Sequence, residues 1–153
     1  MTFGVGFTRE SVVIAETTGS GETFVVASIT SIPFQGRSGA DLTDLLRRLV
    51  VVFDRGTHGG ATIALFASSS GRFKASVEAI KAEAVTELAA AEGGLPVVKV
   101  TAAGLKKVLG CAAGQKWQAR AAERFNPTGH LEHWSKGAAG ATAAALKVSL
   151  HSL

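Results

Sequence analysis

The sequence predicts an α/β chain built on a mixed five-stranded sheet flanked by helices: three antiparallel strands, then alternating helix and strand. Three observations predict it. The first third holds three runs rich in β-branched and aromatic residues, "FGVGF" (3–7), "SVVIAET" (11–17) and "ETFVVASITSI" (22–32), separated by turns. Two later runs, "ATIALFA" (61–67) and "LPVVKV" (95–100), are short and apolar, the mark of strands buried on both faces. Helical spacing of apolar residues fills the intervals between and after them.

The elements follow in order. "TTGSGE" supplies a glycine turn between the second and third strands. Ser38 with Asp41 makes a capping-box-like start to a helix in which Leu42, Leu45, Leu46, Leu49, Val50 and Phe53 recur at helical spacing. Arg47 and Arg48 take its outer face, and "DRGTHGG" ends it. After the strand at 61–67, "SSSGRFKAS" leads into a helix over about 72–91, with Val77, Ile80, Ala84 and Leu88 expected inward and Glu78, Glu83 and Glu87 toward water. Beyond the strand at 95–100, Thr101 caps a helix through Leu109, and another spans about 115–125. The last helix, "KGAAGATAAALKV" (136–148), carries Gly137 and Gly140 where Ala would hold a helix better by roughly 1 kcal/mol each. No internal repeat or linker interrupts the chain, so one domain over 1–153 is expected.

Composition narrows the classes. With 46% hydrophobic and 18% charged residues, the chain is globular rather than disordered. No apolar run is long enough for a membrane span, nothing at the N-terminus reads as a signal peptide, and the single cysteine, Cys111, cannot form an internal disulfide. A reducing cytoplasm is the expected home. Charge is uneven: residues 1–95 carry 8 Lys/Arg against 10 Asp/Glu, whereas residues 96–153 carry 8 against 2. A basic half points to a polyanionic partner, DNA or RNA, although a solvated surface gives the same count.

The order β-β-β-α-β-α-β-α is that of the ribonuclease H-like fold, shared by actin-like half-domains. Within "GGLPVVKVTAAGLKKVLGCAAGQKWQ", a strand is followed by a Thr-capped helix with a central Lys, a glycine-rich turn and a K-x-Q helix start, carried by Thr101, Lys106 or Lys107, Gly110, Gly114, Lys116 and Gln118. On these residues the sequence, from Gly71 onward, resembles the RuvC family of Holliday-junction resolvases. The family's last helix reads like "DAADALAVA", onto which "GAAGATAAA" falls without a gap, so that Gly137 and Gly140 occupy the places of two aspartates. The family's "GVDPG" aligns with "GVGFT", placing Gly6 on the first catalytic aspartate. The glutamate at the end of its central strand falls at about Leu65, and no Asp or Glu occurs between Ala61 and Val77.

The resemblance implies a nuclease that cuts phosphodiesters with two Mg²⁺ ions about 3.5–4 Å apart, held by carboxylates. Glycine and leucine offer no such ligand. The expectation is therefore a non-catalytic domain with degenerate positions at Gly6, Leu65, Gly137 and Gly140, no cofactor, and a homodimeric state like that of the family. The bland account of the two helix glycines is a small-residue face packed on the sheet.

Phosphate contact is expected from Arg72 and Lys74 in the "SSSGRFK" loop, where Ser70 could equally be a plain helix cap, and from Lys106, Lys107, Lys116 and Arg120, with Arg124 and Trp117 beside them. Trp117 is expected to be buried with Phe125 rather than free to stack. "HLEH" (130–133) holds two imidazoles that share a face only in a helix, and Glu83 and Glu87 read as a solvated pair. Three rivals remain: a Mg²⁺-dependent nuclease using shifted acids such as Glu10, Glu16 or Asp54, a structural or protein-interaction subunit, and, ranked last because "SSSGR" is a poor match to their phosphate loops, a half-domain related to the actin-like ATPases.

Overall fold

The computed structural model describes residues 1–67 and 75–151. Strands β1 (Thr2–Phe7), β2 (Ser11–Thr18) and β3 (Val25–Pro33) form an antiparallel meander, and β4 (Thr62–Phe66) and β5 (Val97–Val100) add in parallel on the other side of β1. The order across the sheet is β3-β2-β1-β4-β5. The mixed five-stranded sheet expected from the sequence is present. The third strand starts later than expected, because Gly21–Thr23 form a turn of 3₁₀ helix.

Helix α1 (Gly39–Thr57) begins where Ser38 accepts a hydrogen bond from the Asp41 amide at 3.3 Å, while the Asp41 carboxylate accepts one from the Arg37 amide at 2.8 Å. Its face of Leu45, Leu49 and Phe53 closes one side of the sheet against Phe3, Val5, Ile14 and Ile63. Full burial of each such side chain contributes about 1.5–3 kcal/mol.

Helix α2 (Val77–Glu92) departs from expectation. It is capped by Ser76, whose hydroxyl accepts from the Ala79 amide at 3.1 Å, so the helix begins later than residue 72. Its buried residues are Ala79, Ala82, Thr86, Ala89 and Ala90. The residues expected inward lie outward: Val77 is 64% exposed, Ile80 52% and Leu88 51%, with Ala84 exposed on the same face. Small residues let α2 lie close on α1, which turns the larger apolar groups to solvent. Strand β5, expected to be buried on both faces, is instead an edge strand with Val98 and Lys99 exposed. Lys99 is tied at 2.5 Å to Glu87, and this hydrogen bond holds its ammonium above the usual lysine range.

The opposite face of the sheet is covered by α3 (Ala102–Leu109), α4 (Trp117–Phe125) and α5 (Ala138–His151). Thr101 caps α3 by accepting from the Gly104 amide at 3.3 Å. Helix α5 crosses β1, β4 and β2 and is buried nearly all round by small residues. It sits unusually low on the strand: a Cβ at Gly4 would stand 1.8 Å from the Ala141 carbonyl oxygen. Only glycine fits there. Helix α5 begins at Ala138, so Gly137 lies just outside it with φ +103°, its carbonyl accepting the first helical bond from Ala141.

Candidate functional site

Alternation along the strands decides which side chains meet α5. On β1, Phe3 and Val5 point to the α1 side, so Gly4 and Gly6 face α5. Strand β4 pairs in parallel with Val5 opposite Leu65, and on β4 it is Ala64 and Phe66 that pack toward the α5 side. Leu65 is fully buried and faces away from Gly6. The structure thus brings Gly6, Gly137 and Gly140 to one cavity but not Leu65, whose place is taken by its neighbour Phe66. A single-residue offset in a strand reverses the face, so Leu65 and Phe66 point to opposite sides of the sheet.

The cavity holds about 330 Å³. Its floor is glycine: a Cβ at Gly6 would lie 3.0 Å from the Gly137 carbonyl oxygen, and one at Gly140 would lie 2.7 Å from Phe66 Cδ1 and 3.4 Å from Trp117 Cη2. Its walls are aromatic. Phe66 and Trp117 meet edge to face with centroids 5.4 Å apart, and Trp134 completes the walls, while Phe7 borders the cavity from the end of β1 with its side chain packed against the α1-side core. Trp117 is half-buried here, and Phe125 packs on Phe24 instead of on it. Gln118 and Ser135 stand at the rim, exposed. None of the described lining residues is charged. Phe7 and Trp134 were not singled out by sequence reasoning, and no local motif marks them; they arrive from the end of β1 and the loop before α5.

A pair of divalent cations needs oxygen donors in near-octahedral array. The residues around this cavity do not fit such a pair, since glycines and aromatic rings supply no carboxylate. Among the described residues no group of three or more His, Cys, Asp or Glu side chains is placed to hold a metal. The shifted acids are dispersed. Glu10 lies in the β1–β2 turn, Glu16 on β2 pairs with Arg55 at 3.4 Å, and Asp54 is exposed on α1. "HLEH" is not helical: His133 has a left-handed backbone and His130 bonds Thr128.

The cations divide into free and committed. Lys106 and Lys107 are exposed in the last turn of α3, and Lys116 is exposed at the start of α4. Arg120 is a structural tie: its Nε donates to the Leu109 carbonyl at 3.1 Å and its guanidinium pairs with Glu123 at 3.2 Å. Arg124 lies over the Phe125 ring. Arg72 and Lys74, with Ser70, fall outside the described residues.

Five mixed strands with α1 and α2 on one face and α3 to α5 on the other define a ribonuclease H-like fold. Within that class its fold is similar to that of RuvC. The chain superimposes on RuvC of Thermus thermophilus with a TM-score of 0.72 and 17% identity, over 99% of this chain and 94% of that one. It matches T. thermophilus RuvC in complex with a Holliday junction substrate with a TM-score of 0.72 and 14% identity, over 99% and 93%. At such identity the likeness is one of fold. No family model matches the sequence, and no curated protein matches it. Among the described residues no helix is long and apolar enough to cross a membrane.

Proposed function

We propose that this chain is a non-catalytic RuvC-like domain that binds a nucleic-acid backbone through its basic C-terminal half. The observation that carries the reading is the cavity at Gly6, Gly137 and Gly140. It occupies the place that the resemblance assigns to the metal centre, and it is lined by rings and glycine backbone rather than by acids. Binding is supported by Lys106, Lys107 and Lys116, which are exposed on the same side of the sheet as that cavity and make no ion pair among the described residues. T. thermophilus RuvC, which has this fold, has been solved with a junction substrate.

Counterion release gives the test. Each phosphate neutralised on duplex DNA adds about −0.9 to the slope of log K against log salt. Lys106→Ala/Lys107→Ala is expected to weaken binding and flatten that slope by about 1–2, with no Mg²⁺- or Mn²⁺-dependent cleavage in any variant. A wild-type slope of zero removes phosphate contact, and metal-dependent cleavage lost in Glu10→Gln or Glu16→Gln establishes the nuclease instead.

A second reading, association with a further copy of the chain, is favoured by the outward face of α2. Val77, Ile80, Ala84 and Leu88 form one apolar stripe there. A two-fold axis through Ala84 sets Ile80 against Leu88 across it, with the small Ala at the point of closest approach. Sedimentation equilibrium should give a dimer for the wild type and a monomer for Leu88→Asp; a monomeric wild type at all concentrations rejects it.

A further inference from the structure

We infer that the aromatic cavity beside α5 is a stacking pocket for one unpaired nucleobase, an inference that rests on the nucleic-acid reading above and adds to it what is gripped besides phosphate. Four features converge. Volume is the first: about 330 Å³ lies at the small end of ligand cavities, which run from roughly 300 to 1,000 Å³. That is ample room for a flat ring system.

The lining is the second. Phe66, Trp117 and Trp134 pack on the α5-side core but are each only partly buried, so each keeps accessible surface at the cavity. Both tryptophans of the chain are among them. Rings on several walls suit a planar aromatic guest, because every base has a π-face and stacking tolerates any base. The glycine floor creates the space, since a side chain at Gly140 would stand where Phe66 and Trp117 now lie.

Polarity is the third. With no charged residue among the described lining residues, the cavity offers a bare phosphate no counter-charge and accepts a neutral guest. Its polar groups are the Gln118 amide and the Ser135 hydroxyl at the rim, and neither has a hydrogen-bond partner among the described residues. Between them they offer donors and acceptors of the kind that a base edge presents.

Charge is the fourth. A base within a strand carries a phosphate on either side of its sugar. Lys116 directly precedes Trp117, and Lys136 directly precedes Gly137; both are exposed. Two exposed cations thus adjoin lining residues along the chain, and they suit the phosphates on either side of a bound base. A duplex cannot deliver a base into a cavity without unpairing it, so the guest is a base from a single strand, a loop or a branch point.

Tryptophan emission reports on this pocket directly. The full chain is titrated with a single-stranded oligodeoxynucleotide, with the same sugar–phosphate strand lacking bases, and with free adenosine. Fluorescence anisotropy of labelled strands is followed in parallel. The expected result is quenching by the base-bearing strand and by adenosine but not by the abasic strand, with the abasic strand bound about 5- to 100-fold more weakly. Trp117→Ala should weaken the base-bearing strand by a similar factor and leave the salt slope unchanged, whereas Lys106→Ala/Lys107→Ala should lower the slope and keep the quenching. Gln118→Ala, at an exposed position, serves if the tryptophan variant does not fold, and the abasic comparison needs no variant. Equal anisotropy titrations for abasic and base-bearing strands, with unchanged emission, overturn the pocket and leave the backbone reading standing. If no strand binds, the backbone reading falls; adenosine quenching then still supports the pocket, and its absence overturns that as well.

Discussion

Gly4→Ala is the sharpest structural perturbation. The added Cβ would sit 1.8 Å from the carbonyl oxygen of Ala141 and 2.6 Å from its carbonyl carbon. Non-bonded carbon atoms prefer about 3.5–4.0 Å, so β1 and α5 would have to part by well over 1 Å. The obstacle is helix backbone, and the helix around it, Ala141 to Leu146, is completely buried. Overpacking in a core costs about 1–3 kcal/mol and sometimes more. An obstacle that cannot rotate away belongs at the top of that range, about 3 kcal/mol. For a chain of this size, 1 kcal/mol moves Tm by about 2–4 °C, so a fall of about 6–12 °C is expected. Far-UV circular dichroism during heating and urea titration measures it. Gly39→Ala is the control, at the first turn of α1 with nothing within 4 Å, and should be neutral or raise stability by about 0.4–1 kcal/mol. If Gly4→Ala stays within about 0.5 kcal/mol of the wild type, the seating of α5 on β1 described above is wrong.

Two other substitutions test the same face. Thr142 is fully buried in α5 with its hydroxyl unpartnered among the described residues; Thr142→Val should leave stability unchanged or raise Tm by about 2–4 °C, and a clear fall would mean that the hydroxyl is engaged. Gly140→Asp puts a carboxylate back at one position where the resemblance expects it, but its Cβ lies 2.7 Å from the Phe66 ring. The expected outcome is a loss of about 1–3 kcal/mol with no Mn²⁺ binding by calorimetry, and measurable Mn²⁺ affinity would show that the rings yield readily.

Much of the fold was legible because local signals and topology agree. Ser38 and Thr101 cap the helices that they were expected to cap, and the three β-rich runs and the apolar run at 61–67 are strands. Helix α2 was misread for a physical reason: periodicity rewards large apolar residues, but the inward face is built from alanines because α1 packs close upon it. Gly137 was placed inside the last helix, where it instead bears a left-handed backbone before it. The cavity was half legible. Its glycines stood out, as did Trp117, but Phe7, Phe66 and Trp134 come from distant segments that only the sheet order brings together. Arg120 looked like its neighbouring lysines in sequence and proved to be anchored to Leu109 and Glu123.

Helix α5 makes the centre of this molecule a place of small volumes. Ala143, Ala144 and Ala145 contact their surroundings with single methyl groups, and Gly4 beneath them with none. Such a core gains little from greasiness and much from fit. Its tolerance profile should therefore follow size rather than polarity: serine in place of a central alanine is a milder insult than leucine, the reverse of what holds on the α1 side, where Leu45, Leu49 and Phe53 fill the space. Sequence drift in this chain is constrained on one side of the sheet by hydrophobicity and on the other by bulk.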